Sequence, residues 1–346
     1  MSKVFTKRNH YNPCFWTALW NESYYNQYCS GQSIKNSCRE QVVYALNVCS
    51  GKIYPTKVEK VHFHSDWGVA DIRPESIKSF CARWFPKKYE EICKYVEANP
   101  ANLYLDFEEV FTGLERSVVF SPLMEIAKIC NLASDEQKAP LICHLMIHAM
   151  RSHEFVAASI DRMKSLNIDK WEYFWLLKHI WGNRTFLARA AIIPTLGEWT
   201  LWRTPEHAFP LCDSPVLIDR NSLMAVLSPR LLLEVDLNRH GDRPYWSVRD
   251  EIPKHKIAEF RRRSIANTFK EVIFSGPAKL QEWLASRQGQ ARIAGLKDLE
   301  YKQRCLQEAG ARVLYGVNGF GRVPEDFESW LDGNFYQDIL PNEGKK

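Results

Sequence analysis

Apolar positions change their period three times along the chain, and each change predicts a different kind of element. From residue 10 to 20 they are dense and aromatic, and a polar Asn/Gln/Ser/Gly stretch follows to about residue 38. Residues 41–48 read as a strand, Ser50-Gly51-Lys52 as a turn and 53–64 as a returning strand, so that 41–64 is expected to form a hairpin. Ile77, Phe80, Trp84, Ile92 and Val96 then recur at helical spacing, interrupted at Pro86. Phe107, Val110, Phe111 and Leu114 carry the helical pattern through 105–131, with a break at Pro122. Ser134-Asp135-Glu136-Gln137 has the form of a capping box with acids in the first turn. The helix it opens is expected to run through Leu141, Leu145, His148 and Phe155 to about Lys164, with a Trp- and Leu-rich helix over 169–190.

The period then shortens. Segments 191–203, 208–211, 216–219, 225–229 and 231–235 read as short strands. A basic helix is expected over 254–274, one amphipathic helix over 277–308, and an irregular Gly-rich end. The pattern predicts an α+β fold, mainly helical, with an N-terminal β-hairpin and a small central-to-C-terminal group of short strands.

Composition narrows the functional classes. The 346 residues are 45% hydrophobic and 25% charged, as in soluble globular proteins. Twelve Trp serve a core first and stacking surfaces second. The net charge of +5 permits an anionic partner without demanding one. No pair among the ten cysteines has Cys-x-x-Cys spacing, which argues against a zinc ribbon or redox motif. No apolar run is long enough for a signal peptide or a membrane span, so a soluble, cytoplasmic protein with free thiols is expected. There is no P-loop and no Gly-x-Ser-x-Gly elbow, and Gly316–Gly321 lacks the strand-to-helix setting of a dinucleotide site.

Two runs carry the most information, residues 7–16 and 208–217. Pro215 restricts Ser214 to extended geometry, which places Asp213 at a defined strand-to-turn corner. His10 can move a proton, Asp213 can orient it or hold a divalent metal ion, and Arg151 can grip a phosphate with two parallel bonds, with Asn267 beside them. The structural alternative has His10 and Asp213 capping turns and Arg151 closing a helix. His144 and His148 lie four apart on one helix face and could share a metal ion, but Leu145 replaces the Glu a metalloprotease needs. His62, His64 and Asp66 alternate along a strand and form a second possible ligand set. Arg261, Arg262 and Arg263, with Lys254, Lys256 and Lys270, could contact phosphates while Trp246 offers a stacking face; a solvated helix face is the alternative. Cys14 and Cys212 would need a nearby His to act as nucleophiles, and Asp213 raises the thiol beside it.

The order of these motifs resembles domain-of-unknown-function family 4238. His10-Tyr11-Asn12-Pro13 matches its opening, Arg151-Ser152 a helix end, and Cys212-Asp213-Ser214-Pro215-Val216 its acidic element. Leu227-Ser228-Pro229 and Asn267 match its later landmarks, whereas Cys212, Ser214 and His153 depart from the usual residues. The resemblance spans about residues 7–275, implying one domain of that kind over 1–275 and a C-terminal helical extension with an irregular tail over 276–346. The family carries no established activity. The residues themselves point first to a metal-dependent, nuclease-like hydrolase acting on nucleic acid or another phosphate-bearing substrate. The alternative is a non-catalytic module that binds a protein or RNA partner.

Overall fold

A computed structural model describes residues 8–10, 12–34, 36–65, 69–71, 74–84, 86–98, 104–106, 121–165, 169, 171–172, 192, 194–219, 221–240 and 246–320. The chain is α+β and mainly helical. β1 (Arg8–His10) leads into α1 (Cys14–Thr17) and α2 (Glu22–Ser30). The expected hairpin is β2 (Val42–Asn47) and β3 (Lys52–Lys57). Its turn is closed by Asn47, whose Oδ1 accepts from the amides of Cys49 and Ser50, and by Gly51 at φ +68°. The return strand is shorter than expected. A 3₁₀ turn at Val58–Lys60 ends it, and β4 (Phe63–Ser65) pairs instead with β1.

β5 (Val69–Asp71) pairs with β6 (Tyr104–Asp106), flanking the two helices α3 (Pro74–Trp84) and α4 (Tyr89–Ala98) on either side of Pro86. Residues 107–114 lie outside the described residues. Pro122 stands in the first turn of α5 (Ser121–Ile129), which needs no Pro N–H. The capping box does not form: Ser134 makes no side-chain cap, and Gln137 Oε1 accepts from the Ala133 amide. α6 (Lys138–Arg151) then stops at Ser152, which is extended and caps α7 (His153–Ser165) through the Phe155 amide. The single helix expected to Lys164 is therefore two. Most of the expected 169–190 helix lies outside the described residues, although Trp171 is buried against Phe80.

β7 (Gly197–Arg203), β8 (Leu211–Cys212), β9 (Val216–Ile218), β10 (Ser222–Ser228), β11 (Leu231–His240) and β12 (Trp246–Arg249) follow. They do not form one group. The order β12-β7-β11-β10-β9 makes a five-stranded sheet, with only β12 parallel to its neighbour. β8 joins a four-stranded antiparallel sheet, β3-β2-β13-β8, completed by β13 (Glu271–Phe274). Pro55 sits in edge strand β3, where its missing N–H costs no ladder bond. The chain thus changes sheets at Asp213-Ser214-Pro215.

α8 (Lys254–Ala266) ends well before residue 274, because Val272-Ile273-Phe274 belong to β13. The expected 277–308 helix is three: α9 (Pro277–Ala285), α10 (Arg287–Gly295) and α11 (Leu299–Phe320). Ser286 and Asp298 accept from the opening amides of the second and third. Gly316 and Gly319 are helical rather than irregular. No described helix is long and apolar enough to cross a membrane.

Strand alternation explains how the smaller sheet is covered. Val43, Ala45 and Ile273 face the main core, while Leu46, Val272 and Phe274 face a second core closed by Leu280, Trp283 and Ile293 of α9 and α10. α11 packs along α7, and Gly310 allows the close approach. A Cβ there would lie 2.3 Å from Ala158 Cβ and 2.5 Å from the Glu154 carbonyl oxygen. Gly310→Ala is expected to cost about 1–3 kcal/mol, read as a lower urea midpoint. An unchanged midpoint would mean that the two helices can separate freely.

Candidate functional site

The two runs singled out in the sequence meet. Asn12 Nδ2 donates to the Cys212 carbonyl at 3.1 Å and to His62 Nδ1 at 2.9 Å. The carbonyl can only accept, which fixes the Asn12 amide orientation and makes His62 Nδ1 an acceptor, so its proton sits on Nε2. His62 adopts φ 52°, held by its own amide donating to Glu271 Oε2 at 3.0 Å. Burial lowers the His62 pKa to about 3, and it stays neutral. Glu271 also accepts from the Tyr54 hydroxyl.

Asp213 is 1% exposed. Its carboxylate accepts from three successive amides beyond α8: Phe269 at 3.0 Å, Lys270 at 2.6 Å and Glu271 at 3.4 Å. Burial and the nearby Glu154 raise its pKa to about 7, against those amide bonds, which lower it. This group clamps the sheet-changing corner to the loop that enters β13. His10 Nε2 donates to the Glu59 carbonyl at 3.2 Å, and its charge bears on His62. His62, Asn12 and the Cys212 carbonyl therefore join the first run to the corner that holds Asp213. Arg151 ends α6, 1% exposed, where a cation suits the helix dipole. The thiol of Cys212 is pushed up to about 12 by burial, with Asp213 adding to the rise; it is no nucleophile at neutral pH.

His144 and His148 are both buried, with ring centroids 4.5 Å apart and 5.6 and 5.4 Å from Trp16. Burial lowers His144 to about 3. Among the described residues no group of three or more His, Cys, Asp or Glu is placed to hold a metal ion. His64 lies in β4, and Asp66 is outside the described residues.

The three arginines do not form one surface, because successive helical residues are turned by roughly 100°. Arg263 is pinned to Asp219 Oδ2 at 2.8 Å and to Ser222 Oγ at 3.1 Å. Arg261 lines a groove on one side of α8, and Arg262 lines a pocket on the other. Lys256 pairs with Glu234, and Lys270 Nζ donates to the Phe63 carbonyl. Trp246 is not beside this helix face. Its Nε1 donates to Asn131, and the buried Lys138 ammonium stands between its ring and that of Trp199, 5.2 and 5.5 Å away.

Pocket geometry gathers another set. A cavity of about 410 Å³ lies between β9, the end of α8 and α11, lined by Glu154, Arg262, Arg263, Asn267 and Arg312. Arg312 Nη2 approaches Asn267 Oδ1 at 3.5 Å, and Arg262 has no acidic partner among the described residues. Glu154, 2% exposed, accepts a hydrogen bond from the Ser214 hydroxyl at Oε1, while Oε2 has no hydrogen-bond partner. Burial raises its pKa, against hydrogen bonding from Ser214, from its own backbone amide and from the Ser152 hydroxyl, and last the charge of Arg292. Three arginines and Asp219 give the pocket a charge of +2 whenever Glu154 is protonated. Neither Glu154 nor Arg312 was among the residues picked from the sequence. The one available signal was an acid three residues after Arg151 and directly before the apolar pair Phe155-Val156.

Comparison with family models, with curated proteins and with solved structures returned no match.

Proposed function

We propose that this protein acts on a phosphate-bearing ligand held in the pocket between α8 and α11. The observation that carries the reading is a buried carboxyl with an upward-shifted pKa at a pocket whose other charged groups are mainly guanidiniums. Arg262 and Arg312 match phosphate oxygens through paired N–H donors. Asn267, whose Nδ2 donates to the Arg263 carbonyl at 2.7 Å, stands beside Arg312, and Arg263 is paired with Asp219. A protonated Glu154, its Oε1 occupied by Ser214, presents its proton at Oε2.

In a hydrolytic step, water forms a bond to phosphorus as the bond to the leaving oxygen breaks. Glu154 gives its proton to that oxygen and recovers one from the attacking water. Asp213 takes no part in proton transfer here; it positions Ser214, and through it Glu154. A divalent metal ion can add charge stabilisation, held by the ligand's own phosphate oxygens.

The test is labelled RNA and DNA incubated with wild type, Glu154→Gln and Arg262→Ala/Arg312→Ala, with Mg²⁺, Mn²⁺ or chelator. Cleavage lost in Glu154→Gln, with binding retained, supports the hydrolase. Its rate should fall as pH rises through the raised Glu154 pKa, because the donor is then lost. Binding without cleavage, weakened in the double arginine variant, moves the reading to a non-catalytic RNA-binding module. Neither binding nor cleavage of any phosphate-bearing probe would end it.

A further inference from the structure

The opposite face of α8 carries a second cavity that the phosphate pocket does not use. It is a groove of about 480 Å³ between α8, α9 and β13, a size within the usual range for small-molecule sites. Ile265, Phe274, Leu280 and Trp283 supply an apolar floor, all of them buried. Lys254, Arg261 and Lys279 line the same groove, and the one acid there, Glu282, is already paired with Lys279 at 3.2 Å. Lys254 and Arg261 have no acidic partner among the described residues.

Trp283 anchors the floor of the groove. It is 8% exposed, and its indole Nε1 is buried with no acceptor, a situation that buried tryptophans normally avoid. The rest of the residue is firmly held. Its carbonyl accepts from the Ser286 hydroxyl at 2.7 Å, and a Cβ at Gly289 would come within 3.1 Å of its ring.

We infer that this groove binds a small amphipathic anion, an acyl or aromatic body ending in a carboxylate. The apolar body covers Ile265, Phe274 and Leu280. The carboxylate meets Lys254 and Arg261, which line the same groove. A neutral molecule of the same length leaves the two cations unanswered, so charge sets the selectivity.

The test uses 8-anilinonaphthalene-1-sulfonate as a fluorescent probe on the full chain, displaced by decanoate and by decanol. Saturable binding is expected, with decanoate displacing the dye about tenfold more effectively than decanol. Arg261→Glu/Lys254→Glu should weaken decanoate about tenfold or more, and Ala258→Trp, at an exposed position lining the groove, should block it. Far-UV circular dichroism confirms that each variant is folded, so that dye uptake by loosened protein is not mistaken for the site. Arg262→Ala should leave decanoate displacement of the dye as in wild type while weakening phosphate-bearing ligands, which separates this groove from the phosphate pocket. Equal displacement by decanol, or variants that bind decanoate like wild type, would overturn the assignment.

Discussion

Asp213→Ala is expected to destabilise the protein by roughly 3 kcal/mol or more, since it leaves three amides without an acceptor at about 1–3 kcal/mol each. Those amides belong to Phe269, Lys270 and Glu271, and the first and third residues are buried. The loss falls at the corner where the chain leaves the four-stranded sheet for the five-stranded one, so both sheets lose register together. Asp213→Asn keeps one acceptor oxygen but turns an NH₂ group toward N–H donors, and should fall between wild type and Ala. Thermal unfolding followed by circular dichroism separates the three. If Asp213→Ala melts with wild type while losing activity, the clamp is dispensable and Asp213 belongs to the chemistry instead.

Acidification should change stability little down to about pH 4 and lower it steeply below that. His62 and His144 are neutral when folded, their pKa values lowered to about 3 from an ordinary 6.5, so the unfolded chain binds more protons below pH 6.5. Each therefore removes stability as pH falls from 6.5 toward 3, by about 1.4 kcal/mol per pH unit. Asp213 has the opposite sign. Its folded pKa is raised to about 7 from 3.8, so it gains stability as pH falls from 7 toward 4 and none below that. Glu172, raised to about 7 by burial, acts in the same direction. The opposing contributions leave a shallow slope from pH 6.5 to 4. Below pH 4 the histidines act alone and stability drops steeply. His144→Phe, which keeps a ring beside Trp16, should roughly halve the steep limb in urea midpoints measured against pH. The same limb in both proteins would rule out His144 as its source.

Much of the fold was legible because its signals are local. The Asn47–Gly51 turn needs only a side-chain acceptor and a residue tolerant of positive φ, both visible in sequence. The breaks at Ser152 and Ala266 were less so. Apolar spacing continues across Ser152, and only the position of Ser214, sixty residues away, draws Glu154 inward beyond it. Val272-Ile273-Phe274 fits a helix face as well as a strand until β2 and β8 stand on either side of it.

The candidate site divides in the same way. Pro215 confines Ser214, and that alone places an acid at a fixed corner; it does not say what the acid holds. The Arg261-Arg262-Arg263 run announces a basic helix, but helical rotation and the neighbours of each face send Arg261 to the groove and Arg262 and Arg263 to the phosphate pocket, where Arg263 is paired with Asp219. Charge states were decided entirely by packing: Glu154, Asp213, His62 and His144 are shifted chiefly by burial, which depends on chain segments far away in sequence. Backbone preferences and side-chain periodicity act over a few residues, so the sequence by itself determined where helices, turns and the acidic corner lie. Desolvation and convergence act across the whole fold, and only the tertiary structure decided which of those residues meet, and in which protonation state.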